Sequence, residues 1–420
     1  MTTALHSESR GWFGWWREGT TEGRRALIAA ALGWMLDAFD VMLYALVLKS
    51  IMAEFGLTTE IAGLLGSATL IASAIGGMIF GVVADRYGRT RALMASVLIY
   101  SIFTAACGFA QSVTQLAIFR VLLGLGFGGE WASGAALVSE TWPAEHRGKA
   151  LGLMQSSWAI GYGLAAVVTM LVLPRWGWRG VFFVGILPAL LTLWIRRYVR
   201  EPRIWVEARE RVSNHIRRIR FADIFAGRML ALTIAVTVMN ACTMFAWWGF
   251  NLWLPGYLSL PSTAGGMGFT SEMMTGLIVA MQVGMWCGYV TFGFISDAIG
   301  RKRAYVSYML IAAVLILAYI SVSGPMVLLI LGPFVAFFAT GYFSGFGAVT
   351  AEIYPTAIRA TAQGFTYNIG RIASAVAPFA VGSLAQTRGF RAALSLTSIA
   401  FLCAAIAWIA IPETRGRQLE

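Results

Sequence analysis

Charge is scarce in this chain of 420 residues: 12% are Asp, Glu, Lys or Arg, against about 25% in a soluble domain. So few charges cannot build a water-facing surface, and secreted, disordered and soluble nucleic-acid-binding classes are excluded on that ground. There are 3 histidines and 4 cysteines. Cys107, Cys242, Cys287 and Cys403 stand alone in separate apolar runs, so neither a disulfide framework nor a CxxC metal site is suggested, and no cofactor is expected. HExxH and GxSxG are missing, which argues against an embedded enzyme. GLGFGG at 124–129 has the spacing of a dinucleotide loop, but no strand precedes it; close helix packing by small residues is the better account. What is abundant is apolar: 58% hydrophobic residues, 46 Gly and 16 Trp, with a mean hydropathy of +0.71. That is the composition of membrane-spanning helix, where Gly is tolerated and Trp favours the interface.

Apolar runs of about 20 residues, enough to cross a hydrocarbon core of about 30 Å, recur through the chain. They lie near 26–52, 61–84, 91–111, 115–138, 150–172, 178–199, 228–258, 273–296, 304–323, 326–350, 361–383 and 390–411. The one long hydrophilic interruption separates six from six. The expected organisation is a tail over 1–24, a six-helix bundle over 25–199, a loop over 200–226, a second bundle over 227–412 and a tail over 413–420. All basic residues except Lys49, Arg120, Arg175, Arg179, Arg371, Arg388 and Arg391 fall on one side of this map. The positive-inside rule then puts both tails and the central loop in the cytosol. The net charge of +12 is thereby read as orientation, with a lipid bilayer as the partner and no nucleic acid.

An internal repeat organises the spans. Gly81, Asp85, Gly88, Arg89 and Arg91 recur as Gly293, Asp297, Gly300, Arg301 and Arg303; Glu140, Pro143, Arg147 and Gly152 recur as Glu352, Pro355, Arg359 and Gly364. One offset relates all the pairs without a gap, so the chain reads as two homologous halves, a layout that encloses a substrate site near the midplane. The GVVADRYGRTR loop, its copy GFISDAIGRKR, and Arg120 followed by Gly124, Gly126 and Gly128 resemble the major facilitator superfamily. The resemblance implies an all-α membrane protein of twelve transmembrane helices arranged 6+6. Within it, LDAFDVMLYALVL, GLGFGGEWASGAALVSETWP and WGWRGVFFVGILPALL are similar to the sialic acid and lactate proton symporters, with aromatic acid symporters as near relatives. The lactate group's polar pattern in the seventh span is present only as Asn240 and Thr243; Met244, Ala246, Trp247 and Trp248 follow. The resemblance implies import of a small organic acid with protons, on the inner membrane and as a monomer. A sugar or drug transporter of the same fold, or a sensor that does not transport, are the alternatives.

Ionisable groups in the hydrocarbon are costly and mark pathways. Asp37, Asp40, Arg120, Glu130 and Arg371 are the clear ones, and the histidines all lie outside the spans, so a proton must travel on a carboxylate. At about 1.5 Å per residue Asp37 lies roughly 16 Å and Asp40 roughly 21 Å into the first span, on one face, with Arg120 level with Asp40. An Asp40–Arg120 pair is expected, with Asp40 or else Asp37 carrying the proton; Glu130 is a second station or an inner structural charge. Arg371, roughly 16 Å into its span, is suited to take a carboxylate through two parallel hydrogen bonds. Trp158, Tyr162, Asn240, Trp247, Asn251, Gln282, Tyr367 and Asn368 are candidates to complete the substrate site. The repeated loops supply candidate gate residues: Asp85, Arg89, Glu140 and Arg147 in the first half, and Asp297, Arg301, Glu352 and Arg359 in the second. Asp85 is expected to accept from helix-terminal N–H groups, and Arg89 with Arg147 to clamp Glu140.

Overall fold

A lipid-facing backbone has no water to bond, so a chain this apolar closes its hydrogen bonds within helices. The computed structural model describes residues 14–202, 206, 225, 227–354 and 359–415. The outer parts of both tails and most of the central loop lie outside the described residues, as do the side chains of Asp85 and Arg359.

The first half contains α1 (Gly14–Glu18), α2 (Thr21–Phe55), α3 (Thr59–Tyr87), α4 (Arg89–Cys107), α5 (Val113–Thr141), α6 (Ala144–Val184) and α7 (Ala189–Tyr198). The second contains α8 (Arg228–Ser259), α9 (Ser271–Ile299), α10 (Arg301–Ser321), α11 (Pro325–Thr340), α12 (Phe346–Ile353), α13 (Arg359–Ser374) and α14 (Val376–Ala407). Among the described residues, ten helical stretches are long and apolar enough to cross a membrane. Two of these, His146–Tyr198 with 53 residues and Ala362–Ala407 with 46, are too long for one crossing of about 30 Å at about 1.5 Å per residue. Each breaks at a glycine in the left-handed region, Gly177 (φ 63°) and Gly389 (φ 80°), a backbone state that other residues reach only with strain. Counting each as two crossings makes twelve spans in two homologous bundles of six.

The two breaks are repeat mates, and the repeat extends further than the loop motif. Thr58 caps α3 by accepting from the Ile61 N–H at 3.3 Å, and Thr270 caps α9 by accepting from the Met273 N–H at 3.4 Å. Gly88 and Gly300 turn the chain between spans with φ of 115° and 100°. Within the first bundle α5 lies close on α3 and α4, and the GLGFGG run is the reason. A Cβ on Gly124 would strike the Thr69 carbonyl, one on Gly126 the Tyr100 N–H, and one on Gly128 the Ser73 carbonyl. Small residues at a helix crossing let backbones approach, which is what association in lipid requires. Outward faces carry exposed Ile79, Val82, Leu171, Val314 and Ile409, side chains that acyl chains solvate.

The bundles are not joined evenly. Lys49 Nζ donates to the Ser259 carbonyl at 2.8 Å, Thr59 Oγ1 to the Gly382 carbonyl at 2.8 Å, and the Phe379 N–H to Ser67 Oγ at 3.1 Å. Tyr162 Oη donates to the Asn251 carbonyl at 3.3 Å and Thr275 Oγ1 to the Ala166 carbonyl at 3.4 Å. All of these lie in the half of the molecule away from the repeated loops. On the loop-motif side the Gln155 side chain meets the Tyr289 hydroxyl across the bundles, and the bonds above have no further counterpart there among the described residues.

Candidate functional site

The midplane charges are all buried, at 4% exposure or less for Asp37, Asp40, Arg120, Glu130 and Arg371. None pairs within ion-pair distance among the described residues. Both carboxylate oxygens of Asp40 and of Glu130, Asp37 Oδ2, and Arg120 Nε and Nη1 lack hydrogen-bond partners. Buried charges without a near partner are costly, which makes them candidate functional groups.

The expected Asp40–Arg120 pair is not made. Arg120 meets α2 one turn beyond Asp40, with its guanidinium 3.6 Å from the centre of the Tyr44 ring, a cation–π contact. Tyr44 is held there because its hydroxyl donates to the Ala62 carbonyl at 2.8 Å. Matched depth was correct to within a turn, but depth does not fix the direction a side chain takes around its helix. Arg371 is the cation that the carboxylates share: Asp37 lies within electrostatic reach of Glu130, Arg371 and Asp40, and Glu130 within reach of Arg371. Glu130 sits against α2 at Gly33, where a Cβ would strike its Oε1, one turn from Asp37. Asp40 stands apart beside Thr104.

Arg371 also borders a narrow cavity between the bundles. Of the substrate candidates, Trp158, Trp247, Tyr367 and Arg371 line it. The amides do not. Asn240 Nδ2 donates to the Thr366 carbonyl at 3.2 Å and ties α8 to α13. Asn251 Nδ2 donates to the Trp247 carbonyl at 3.0 Å and Asn368 Nδ2 to the Gly364 carbonyl at 3.0 Å, each within its own helix. Tyr162 is spent on the bundle contact, and Gln282 packs beside Gly163. Polar side chains in lipid take the nearest backbone carbonyl or a neighbouring helix. That accounts for Asn240, Asn251, Asn368 and Tyr162 lying outside the cavity lining; Gln282 lies outside it with its Oε1 unpaired.

The remaining wall is aromatic and was not anticipated: Trp34, Phe127, Trp248, Tyr289 and Phe343, with Gln155 and Met244. Helical spacing held the signal, since Trp34 precedes Asp37, Gln155 precedes Trp158 and Met244 precedes Trp247 by one turn each. Trp34 and Trp158 have ring centres 4.7 Å apart, Trp158 and Trp247 5.6 Å, and Trp247 and Trp248 4.8 Å. Arg371 lies 4.6 Å from the Phe127 ring centre. The indole N–H groups of Trp34, Trp158 and Trp247 have no partner, and these three residues line an otherwise apolar box with one guanidinium.

At the loop-motif end, Arg89 Nη2 meets Glu140 Oε1 at 2.9 Å, and its repeat mate Arg301 meets Glu352 at 3.2 Å. Asp297 pairs with Arg301 as well. Arg147 does not join Glu140: its Nε is buried without a partner. The carboxylates on the helix N-termini there come from residues the sequence did not flag. Glu201 accepts from the Thr90 and Arg91 N–H groups, both at 3.2 Å, and Glu413 from those of Arg301 at 2.9 Å and Lys302 at 3.2 Å. For Glu413 burial works to raise the carboxyl pKa, but the N–H groups of Arg415, Arg301, Lys302 and Thr414 outweigh it and hold the group below its usual value.

Residues 30–278 and 257–419 match the family model described as Major Facilitator Superfamily. The chain belongs to this superfamily. It is therefore a multi-pass membrane transporter and not an enzyme. Among similar superfamily members, a probable 4-methylmuconolactone transporter of Cupriavidus pinatubonensis is 35% identical, covering 97% of this chain and 95% of that one. The sialic acid transporter NanX of Escherichia coli is 30% identical over 92% of this chain and 93% of its own. In fold, the chain superposes on the xylose transporter XylE from E. coli with a TM-score of 0.77 at 19% identity, covering 95% of this chain and 100% of that one.

Proposed function

We propose that this superfamily member imports a small, planar or unsaturated organic-acid anion together with protons by alternating access. The observation that carries the reading is Arg371, a buried guanidinium at the wall of an aromatic cavity and within electrostatic reach of Asp37 and Glu130. One guanidinium cannot balance two carboxylates and an incoming third in a medium that solvates charge poorly. Entry of the acid anion therefore requires a proton on Asp37 or Glu130. Release of the anion to the other side lets the proton leave, because Arg371 again faces the carboxylates alone. Asp40, in contact with Thr104 and not with Arg371, is a separate station for the same proton.

The three free indole donors suit a ligand with acceptor oxygens beyond its carboxylate, which the relative's lactone acid has. A sugar would need amides and hydroxyls along the cavity wall, and among the described residues Gln155 is the only amide lining it. The positive-inside distribution supports an inner-membrane location with both tails and the repeated loops in the cytosol, and a single chain encloses the whole cavity, which supports a monomer. Purified protein in proteoliposomes, with an inside-alkaline pH gradient, tests the reading: labelled 4-methylmuconolactone or a related unsaturated acid should accumulate, and dissipating the gradient should stop it. Uptake of xylose with no competition by any acid would overturn the substrate class, and acid binding without flux would favour a sensor.

A further inference from the structure

We propose that Trp131 and Tyr367 form the inner gate of the cavity, with Gln155 holding the Trp131 ring in its closing position. Phe127 and Trp131 are one turn apart on α5, and Arg371 and Tyr367 one turn apart on α13. The two helices run antiparallel and belong to different bundles, so they meet in two rungs. In the upper rung Arg371 covers the Phe127 ring at 4.6 Å. In the lower rung the Trp131 and Tyr367 rings lie parallel, with centres 4.3 Å apart and planes 5° from coincidence. Tyr367 touches Phe346 of α12 on its other side at 5.8 Å, and Trp131 Nε1 donates to Gln155 Oε1 at 3.3 Å.

The lower rung lies between the cavity and the loop-motif face. Trp131 and Tyr367 are partly exposed, whereas Trp34, Trp158, Trp247 and Arg371 above them are buried. On the far side six hydrogen bonds that involve side chains pin the bundles together; on this side, among the described residues, the stacked pair does the closing beside the Gln155–Tyr289 contact. An aromatic pair is worth about 0.5–1.5 kcal/mol beyond its burial, weak enough to part in every turnover, and a flat closed lid keeps water from the charges one turn above. Substrate leaving Arg371 toward the loop-motif face must pass between these rings. Tyr367 is accordingly a gate residue whose outer edge finishes the cavity, and its aromatic partner is supplied by the opposite bundle.

The proposal rests on the alternating-access part of the proposed function and is independent of which acid is carried. Its test reads access and not transport. A cysteine at the cavity wall, Met244→Cys, is labelled with an impermeant maleimide in inside-out and right-side-out vesicles, with the unsubstituted chain subtracted as background. Trp131→Ala and Tyr367→Ala should each raise the labelling rate in inside-out vesicles by about two- to tenfold, the effect of losing one aromatic pair. Trp131→Phe, which keeps a ring but loses the bond to Gln155, and Gln155→Ala should both fall between the parent and the alanine variants. Faster labelling only in right-side-out vesicles would uphold the gate and overturn the cytosolic placement of the loops. Unchanged labelling in both alanine variants, with a raised KM for uptake, would overturn the gate and make Tyr367 a substrate contact.

Discussion

The two halves of the molecule share a framework and differ in charge. Arg89–Glu140 and Arg301–Glu352 are the same ion pair twice; Glu201 and Glu413 are the same cap, Gly177 and Gly389 the same break. At the midplane the correspondence ends. Asp37, Asp40, Arg120 and Glu130 stand where the second half has Gly249, Leu252, Gly332 and Tyr342, and Arg371 stands where the first half has Ala159. Positions that turn the chain and tie loops have one solution in either half. The buried charges, which we propose bind and couple, are not repeated, leaving carboxylates on one bundle and their shared cation on the other. Movement of the bundles then changes the distance between opposite charges, which is what a coupled carrier needs.

The most severe way to break this asymmetry is to remove Arg371, the buried cation beside the cavity in the second half. Arg371→Ala should lower the kcat/KM of acid uptake by about 100-fold or more, in line with the loss of a buried, hydrogen-bonded charge partner. Arg371→Lys keeps the charge but loses the fork, and should mainly raise KM. Adding Ala159→Arg to Arg371→Ala moves the cation to the repeat-mate position; rescue of uptake would show that the side on which it sits is unimportant. Next in size, Asp37→Asn or Glu130→Gln should reduce pH-gradient-driven accumulation by about ten- to 100-fold while leaving acid exchange at equal pH largely intact. Asp40→Asn should do less, because it stands apart from Arg371. Full gradient-driven accumulation in Asp37→Asn and Glu130→Gln alike would remove them from coupling.

Smaller effects sharpen the likeness of the halves. Double-mutant cycles on Arg89/Glu140 and Arg301/Glu352, read by thermal unfolding in detergent, should each give a coupling of about 1 kcal/mol or less. A large difference between them would mean that the loops serve different states. Last, Glu413→Ala should cost about 0.5–2 kcal/mol, as loss of a helix cap does. The carboxyl of Glu413 is held below its usual value in the folded chain, so its contribution is full above the ordinary glutamate pKa of about 4.3 and fades as pH falls through the lower folded value. The stability gap between Glu413→Ala and the parent should therefore close in acid; a gap that persists there would assign the effect to packing.

Much of this was legible before any coordinate. Spans could be read because hydrocarbon thickness sets a length, and the loop ion pairs because a repeat with one offset marks the positions that cannot drift. The reading of Arg371 as a central cation followed from its count along the helix. The amides lie off the cavity wall for a specific reason: Asn251 and Asn368 have a carbonyl of their own helix within reach one turn back, and a single sequence does not say whether a side chain takes it. Trp34, Phe127 and Trp248 were overlooked because an aromatic in a membrane helix has three possible surroundings, lipid, neighbouring helix or cavity, and composition does not choose among them.

By itself, the sequence determined how many times this chain crosses, where it turns, and at what depth its rare charges sit, because those follow from covalent spacing and the fixed rise of a helix. Tertiary structure alone decided which way each side chain points. It turned Arg120 onto Tyr44 and away from Asp40, brought Arg371 within reach of Asp37 and Glu130, and set Trp131 flat against Tyr367 across more than 200 positions of chain. Those contacts depend on rotation about helix axes and on packing between segments distant in sequence, neither of which local pattern encodes.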